Sequence, residues 1–163
     1  MTIRLAMPND VEQLCRLYNE FFAHNADLAP DYFRAGTESG SYPKSTIDSE
    51  SADIFVATED NTIVGFLHIR EAQTPPYDAF IPRKYAVIID FFVTAPYRKQ
   101  GIGTMLMDSA KQWAAARKLD YIELSVSSSP KGAYEFYRQK DFAAVSYTMR
   151  YPLITLTGGS DEN

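Results

Sequence analysis

The run KYAVIIDFFV, residues 84–93, is apolar on both alternating faces except at Asp90. A strand with one wet face shows polar residues at every second position, whereas a strand without them is covered on both sides. The chain therefore folds around a central strand with helices above and below it. The segment after that strand narrows the choice further. In TAPYRKQGIGTML, residues 94–106, a proline and three polar or charged residues lead into Gly101 and Gly103, and a helical pattern begins at once. A helix N-terminus carries unpaired N–H groups and a partial positive charge. Glycine lets a ligand approach the backbone with no Cβ in between. The combination reads as an anion site, with phosphate as its usual occupant; the alternative is a glycine-rich turn for close helix–strand packing. Neither common nucleotide fingerprint fits. A P-loop requires Gly-Lys-Ser/Thr, and here Thr104 and Met105 follow Gly103. A dinucleotide fingerprint requires a third small residue where Leu106 stands.

The remaining segments supply the layers. TIRLA reads as a first strand. MPND starts a helix, capped by Asn9 or Asp10 with Glu12 available to the cap. Val11, Leu14, Cys15, Tyr18, Phe21 and Phe22 recur at helical spacing and make one apolar face, on which Cys15 is a small core residue. DLAPDYFRAG reads as a second short helix. TESGSYPKSTIDSESAD, with a glycine, a proline and five serines, reads as loop. So long a connection is uncommon unless it is functional or holds a short helix. DIFVATEDNTIVGFLHIR is a hairpin turning at EDNT. Pro75, Pro76 and Pro82 keep QTPPYDAFIPR irregular. A helix runs from about Ile102 to Lys118 with Leu106, Ala110 and Trp113 inward. DYIELSVS is a strand. SPKGAYEFYRQKD is a helix with Ser129 as cap and Pro130 at its first position. FAAVSYTMRYPL is a last strand. The order predicts an α/β class with a mixed sheet, in one domain over residues 2–153 followed by a frayed tail, 154–163.

Composition excludes several classes of function. The chain has 163 residues, enough to bury a core without disulfides. A formal net charge of -5 argues against nucleic acid as the partner. Cys15 is the only cysteine, so there is no intrachain disulfide and no cysteine-built metal site. No apolar run approaches about 18 residues, and MTIRLAMPND lacks a signal-peptide core; a cytoplasmic protein with no membrane partner is expected.

The surroundings of the two glycines settle the reading of the turn. Arg98-Lys99-Gln100-Gly101-Ile102-Gly103 resembles the R/Q-x-x-G-x-G/A pyrophosphate loop of the GNAT N-acetyltransferase family. IIDFFVTAPYR resembles the strand and lead-in before that loop. SPKGAYEFYRQKDF resembles the family helix N-x-x-A-x-x-F-Y followed by Gly-Phe, and IRLAMPNDVEQLCRLY its strand-to-helix start. The similarity spans about residues 2–153 in the family's order. It departs at Pro130, where Asn is usual, and at Asp141, where Gly is usual. DFFV is similar to the polyamine-acetylating branch, but Ile89 stands where that branch carries an acid.

The resemblance implies a mixed, strongly twisted central sheet with helices on both faces, splayed between the strand ending at Val93 and the one ending near Ser127. It implies acetyl-CoA as co-substrate in that splay, and no metal. The backbone of Phe92 and Val93 would pair with the pantetheine. The amides of Lys99, Gln100, Gly101, Ile102, Gly103 and Thr104, with Arg98, would hold the pyrophosphate, and Lys131 and Ala133 on the later helix would complete the cofactor contacts. Tyr137 matches the family tyrosine near the thioester sulfur and is the expected general acid. The expected reaction is acetyl transfer to a primary amine of a small molecule. The alternatives are a protein or peptide N-terminal or lysine acetyltransferase and a non-catalytic acyl-CoA-binding regulator. A homodimer is the expected assembly.

Acyl transfer to an amine requires a neutral nucleophile, and a free alkyl ammonium has a pKa of about 10.4. Asp90, the one charge in an apolar strand, reads either as a structural ion pair or as the base, directly or through water. Glu123 is a second candidate base. His68, on a strand face with Val64 and Phe66, reads as a satisfied core histidine. For the acceptor, Glu20, Asp27, Asp31 and Asp78 would attract a cation, and Arg34, Arg70 and Arg83 would hold a carboxylate. The sequence does not choose between them.

Overall fold

A computed structural model describes residues 1–127 and 131–154. The elements in chain order are β1 (Thr2–Leu5), α1 (Val11–Leu28), α2 (Ser41–Ile47), β2 (Ala52–Glu59), β3 (Thr62–Gln73), β4 (Lys84–Val93), α3 (Ile102–Ala116), β5 (Ile122–Leu124) and α4 (Lys131–Arg138). They fall into two compact units. The first holds residues 1–21 and 37–125, and the second holds 22–36 and the described residues from Val126 onward.

The first unit is a five-stranded mixed sheet in the order β1-β2-β3-β4-β5, antiparallel except for β4 and β5. Asp60 and Asn61 turn the β2–β3 hairpin, both at positive φ (48° and 63°), as the right-handed twist of a tight hairpin requires. Register assigns the two faces. On β3, Phe66 and His68 stand opposite Phe92 and Asp90 of β4. The helices α1 and α2 cover this face, with the Tyr18 ring 4.4 Å from Phe66 and the Phe21 ring 5.7 Å from Phe92. The opposite face carries Ile69, paired with Asp53, and Glu71. Here α3 packs: Trp113 Nε1 donates to Asp53 Oδ2 at 2.6 Å, and Arg117 pairs with Asp53 and Glu71. Leu106, Met107 and Ala110 are fully buried beneath it. Helices therefore lie on both faces, as the unalternating central strand demands, and Trp113 is a core residue, 6% exposed.

Four elements differ from their sequence reading. Asp10 does not cap α1. It closes a turn over Pro8–Asp10, accepting from the Met7 amide at 2.7 Å and pairing with Arg4 at 2.6 Å. Residues 29–33 turn without forming a helix. The short helix lies in the serine-rich stretch instead. Gly40 sits at φ 101°, and the Glu38 carboxylate accepts from the amides of Gly40 (2.8 Å) and Tyr42 (3.3 Å). Pro43 is tolerated because the first helical turn needs no N–H donor from it. Finally, residues 143–152 pair with no strand among the described residues. Val145, Tyr147, Met149 and Tyr151 are 85–91% exposed. Their alternation selects a face, but alternation cannot supply the neighbour that bonds a strand's backbone. The cap expected at Ser129 and Pro130 lies outside the described residues, as do residues 155–163 of the expected tail.

Candidate active site

The strand β4 keeps its partner β3 through Gly65↔Val93, but its ladder with β5 stops at Ile88↔Leu124. From Ile89 to Val93 the edge turned away from β3 has no strand beside it among the described residues. The separation coincides with a bulge: His68 opposes Asp90, Ile69 opposes Ile88, and Ile89 is the extra residue. The bulge leaves Asp90 and Phe92 on the α1 and α2 face and Phe91 opposite Leu67 on the other.

The chain leaves β4 through a single 3-10 turn over Ala95–Tyr97. Arg98 Nε donates to the Val93 carbonyl at 2.8 Å, and Gln100 Nε2 to the Pro96 carbonyl at 2.9 Å. Both side chains thus brace the loop. Lys99 (φ 60°) and Gly101 (φ 84°) take left-handed conformations. The first bond of α3 runs from Met105 N to Gly101 O. Among the described residues, the amides from Lys99 to Thr104 donate to no protein acceptor. A Cβ at Gly101 would meet nothing within 4 Å, so the space over the loop is open. Ile102 is 2% exposed and anchors the helix start, leaving only its backbone to a ligand. The residues expected to contact the cofactor between Phe92 and Thr104 thus form one continuous stretch with unspent donors.

On the α1 and α2 face lies a part-buried polar cluster. Asp90 Oδ2 is 3.2 Å from the Tyr42 hydroxyl and 3.5 Å from both the Tyr18 hydroxyl and His68 Nδ1. The Tyr42 oxygen lies 3.0 Å from the same Nδ1. A phenol has one proton. If Tyr42 gives it to Asp90, its oxygen accepts from Nδ1–H, and every contact is satisfied. This pattern assigns the Nδ1–H tautomer to His68 and leaves Nε2 as the basic nitrogen. Burial, and then the negative charge of Asp90, hold the hydroxyls of both Tyr18 and Tyr42 well above the ordinary tyrosine range, so both remain proton donors. His68 is 3% exposed, and the partners of its Nδ1 are Tyr42 and Asp90.

An open cavity of about 460 Å³ is lined by His68, Arg70, Ile89, Tyr42 and hydroxyl residues of α2 and the segment after it. Arg70 is therefore the arginine that the first unit places at a cavity with the polar cluster. Arg83 is an exposed surface residue near Asp120, at 3.8 Å. Glu123 stands exposed on β5, opposite Val87. Glu20 lines a separate cavity with Gln13, Thr94 and Tyr97.

Tyr137 belongs to α4 in the second unit, as do Lys131 and Ala133. Its ring meets Phe136 and Phe142 at 5.4 and 5.9 Å, and burial pushes its hydroxyl up to about 12. The turn after α4 forms with Asp141 at φ 68°, the conformation for which glycine is the easiest residue.

Sequence reasoning missed Tyr18 and Tyr42 as partners of Asp90. Tyr18 was indistinguishable from its apolar stripe, and Tyr42 lay in a segment without periodicity. Among the described residues, no group of three or more His, Cys, Asp or Glu could hold a metal ion, and no helix is long and apolar enough to cross a membrane.

Comparison with known proteins decides the family. Residues 11–142 match the acetyltransferase (GNAT) family. The chain belongs to the GNAT acetyltransferases. It is 28% identical over 141 residues to an uncharacterised N-acetyltransferase of Archaeoglobus fulgidus, covering 86% of this chain and 92% of that one. The crystal structure of a tetramutant of the BH1408 protein from Bacillus halodurans superposes with a TM-score of 0.87 at 26% identity, over 94% of this chain and 100% of that one. The aminoglycoside N-acetyltransferase AAC(6')-Iy, solved with CoA, shares the fold at a TM-score of 0.72 and 14% identity, over 94% and 100% of the two chains. In this GNAT acetyltransferase, the loop with unspent amides is the stretch that carries the family's R/Q-x-x-G-x-G/A pattern.

Proposed function

We propose that the protein transfers an acetyl group from acetyl-CoA directly to a primary amine of a small molecule. The carrying observation is the parting of β4 from β5 at Ile88, followed within a dozen residues by a run of unbonded amides. An open strand edge suits an amide-bearing chain, and a glycine-rich helix start suits a pyrophosphate. Acetyl-CoA supplies the activated acyl thioester.

The chain's own residues have three tasks. The edge from Ile89 to Val93, with Phe92 and Val93 as the pairing residues, orients the acyl group. Backbone amides from Lys99 to Thr104 hold the anionic end, with Arg98 bracing the loop through Val93, and Lys131 and Ala133 add contacts from α4. Proton movement falls to the titratable groups. The amine loses its proton toward Asp90, reached directly or through His68, whose Nδ1–H side is committed to the cluster and whose Nε2 is the acceptor. The amine nitrogen bonds to the acyl carbon as the carbon–sulfur bond breaks, and the nitrogen's second proton returns to the Tyr137 oxygen that protonates the sulfur. Tyr137 gives the sulfur a proton; with its hydroxyl pushed up to about 12, it is fully protonated at neutral pH.

The test is thiol release from acetyl-CoA with a panel of polyamines, amino acids, aminoglycosides and short peptides. Release with at least one small amine is expected. Release with peptides alone would redirect the reading to protein acetylation, and acetyl-CoA binding without release would make the chain a regulator.

A further inference from the structure

Arg70 carries a charge that no described residue pairs. It lines the cavity over β3, and its guanidinium has no hydrogen bond or ion pair among the described residues. The other polar side chains of the cavity are committed. Ser45 and Thr46 donate to the Tyr42 carbonyl, and the hydroxyls of Ser49 and Ser51 lie 3.4 Å apart. Glu71 is held by Arg117 Nε at 3.1 Å. His68 and Arg70 are two residues apart on one strand, so they project from the same face with about 6.6 Å between their Cα atoms. The cavity also reaches Ile89, the first residue of β4 beyond its ladder with β5. One wall thus offers a proton acceptor and an uncommitted cation, and another borders the edge assigned to the cofactor.

We propose that this cavity binds the acceptor, and that the acceptor is a small amine which also carries a carboxylate, of the amino-acid class. The inference rests on the acetyltransferase reading and adds the substrate class to it. The carboxylate is taken by Arg70, whose fork of donors matches two carboxylate oxygens. The amine is held on the His68 side, where its proton passes to Nε2. A polycation has no group for the Arg70 guanidinium to hold, so polyamines and aminoglycosides should be poorer acceptors than an amino acid.

The experiment compares kcat/KM for three matched acceptors: an amino acid, its carboxamide, and the decarboxylated amine. Each is assayed with the wild type, Arg70→Met and Arg70→Lys, with melting curves confirming that the variants fold. The wild type is expected to prefer the acid. In Arg70→Met the ratio of acid to decarboxylated amine should fall on the order of tenfold or more, as the loss of a charge-assisted hydrogen bond implies, with Arg70→Lys between the two. Equal use of all three acceptors by the wild type, or an unchanged ratio in Arg70→Met, overturns the substrate class while leaving the acetyltransferase reading intact. Thiol release with no amine of any kind overturns both.

Discussion

Gly65 stands opposite Val93 at the end of the β3–β4 ladder, and a Cβ at position 65 would lie 3.0 Å from the Phe92 carbonyl oxygen and 3.2 Å from a Val93 methyl group. The glycine lets β3 hold β4 closely where β5 has already left it. Gly65→Ala is therefore expected to destabilise the fold by about 1–3 kcal/mol, the range for inserting a methyl into a packed interior. Denaturant melts read the change. A midpoint equal to that of the wild type would mean that β4 is not held by this contact.

Gly101→Val places a branched side chain in the open space over the loop. The position is left-handed, φ 84°, so the change carries backbone strain, but no protein atom lies within 4 Å of the new Cβ. CoA affinity measured by calorimetry should fall by at least about tenfold, or about 1.4 kcal/mol, with the circular dichroism spectrum retained. Unchanged affinity would remove this loop as the anion site.

Tyr137→Phe is expected to lower kcat by at least about tenfold with acetyl-CoA binding preserved, because only the proton donor is lost. With its hydroxyl pushed up to about 12, Tyr137 as the acid would impose no alkaline fall in kcat near neutral pH. Folding favours the neutral phenol, so its contribution to stability is complete below the ordinary tyrosine pKa of about 10 and is lost as pH rises toward about 12. The phenylalanine variant lacks that loss. Wild-type turnover with chemistry rate-limiting would reject Tyr137 as the acid.

Asp90→Asn keeps the shape of the cluster and removes its charge. The rate should fall most at low pH, where the amine stays protonated, and recover in part as pH rises. A lower melting temperature with an unshifted pH–rate profile would confine Asp90 to holding Tyr18, Tyr42 and His68.

The hydrogen bonds from Arg4, and then that from Met7 N, hold the Asp10 carboxyl below the usual carboxylate range, against its burial. A lowered pKa stabilises the fold above the ordinary carboxylate value and ceases to do so as pH falls through the lowered one. Asp10→Asn should cost about 1.5–3 kcal/mol near neutrality, the worth of charged hydrogen bonds, and the gap to wild type should shrink in acid. Urea midpoints at neutral and at acid pH test this; a gap that does not narrow would contradict the assignment.

The parts of the fold that were legible in the sequence are those that local chemistry dictates. Asp60 and Asn61 announce a tight turn, and Gly101 announces a helix start with left-handed backbone. The unalternating run ending at Val93 announces a strand covered on both sides. The parts that stayed hidden depend on partners distant in the chain. Nothing in Ile88-Ile89-Asp90 marks which residue will be extra, because the bulge is a mismatch with His68 and Ile69. The helix Ser41–Ile47 is capped by Glu38, a residue that reads as one more polar position in a polar stretch. The alternation from Val145 to Tyr151 identifies a segment able to form a strand, yet it says nothing about which edge would receive it. The Tyr42–His68–Asp90 cluster joins three segments, and only Asp90 and His68 stood out, because a charge or a titratable ring on an apolar strand needs an explanation.

The parting of β4 from β5 also bears on how the protein survives. Backbone from Ile89 to Val93 with no described strand alongside is the kind of edge on which other chains nucleate aggregates. A ligand lying along it supplies the missing neighbour, closes the edge, and adds its binding energy to the folded state alone. At a hundred times its dissociation constant such a ligand contributes about 2.7 kcal/mol, a large share of a typical domain's stability. If the co-substrate lies along this edge as proposed, solubility and lifetime are coupled to its supply.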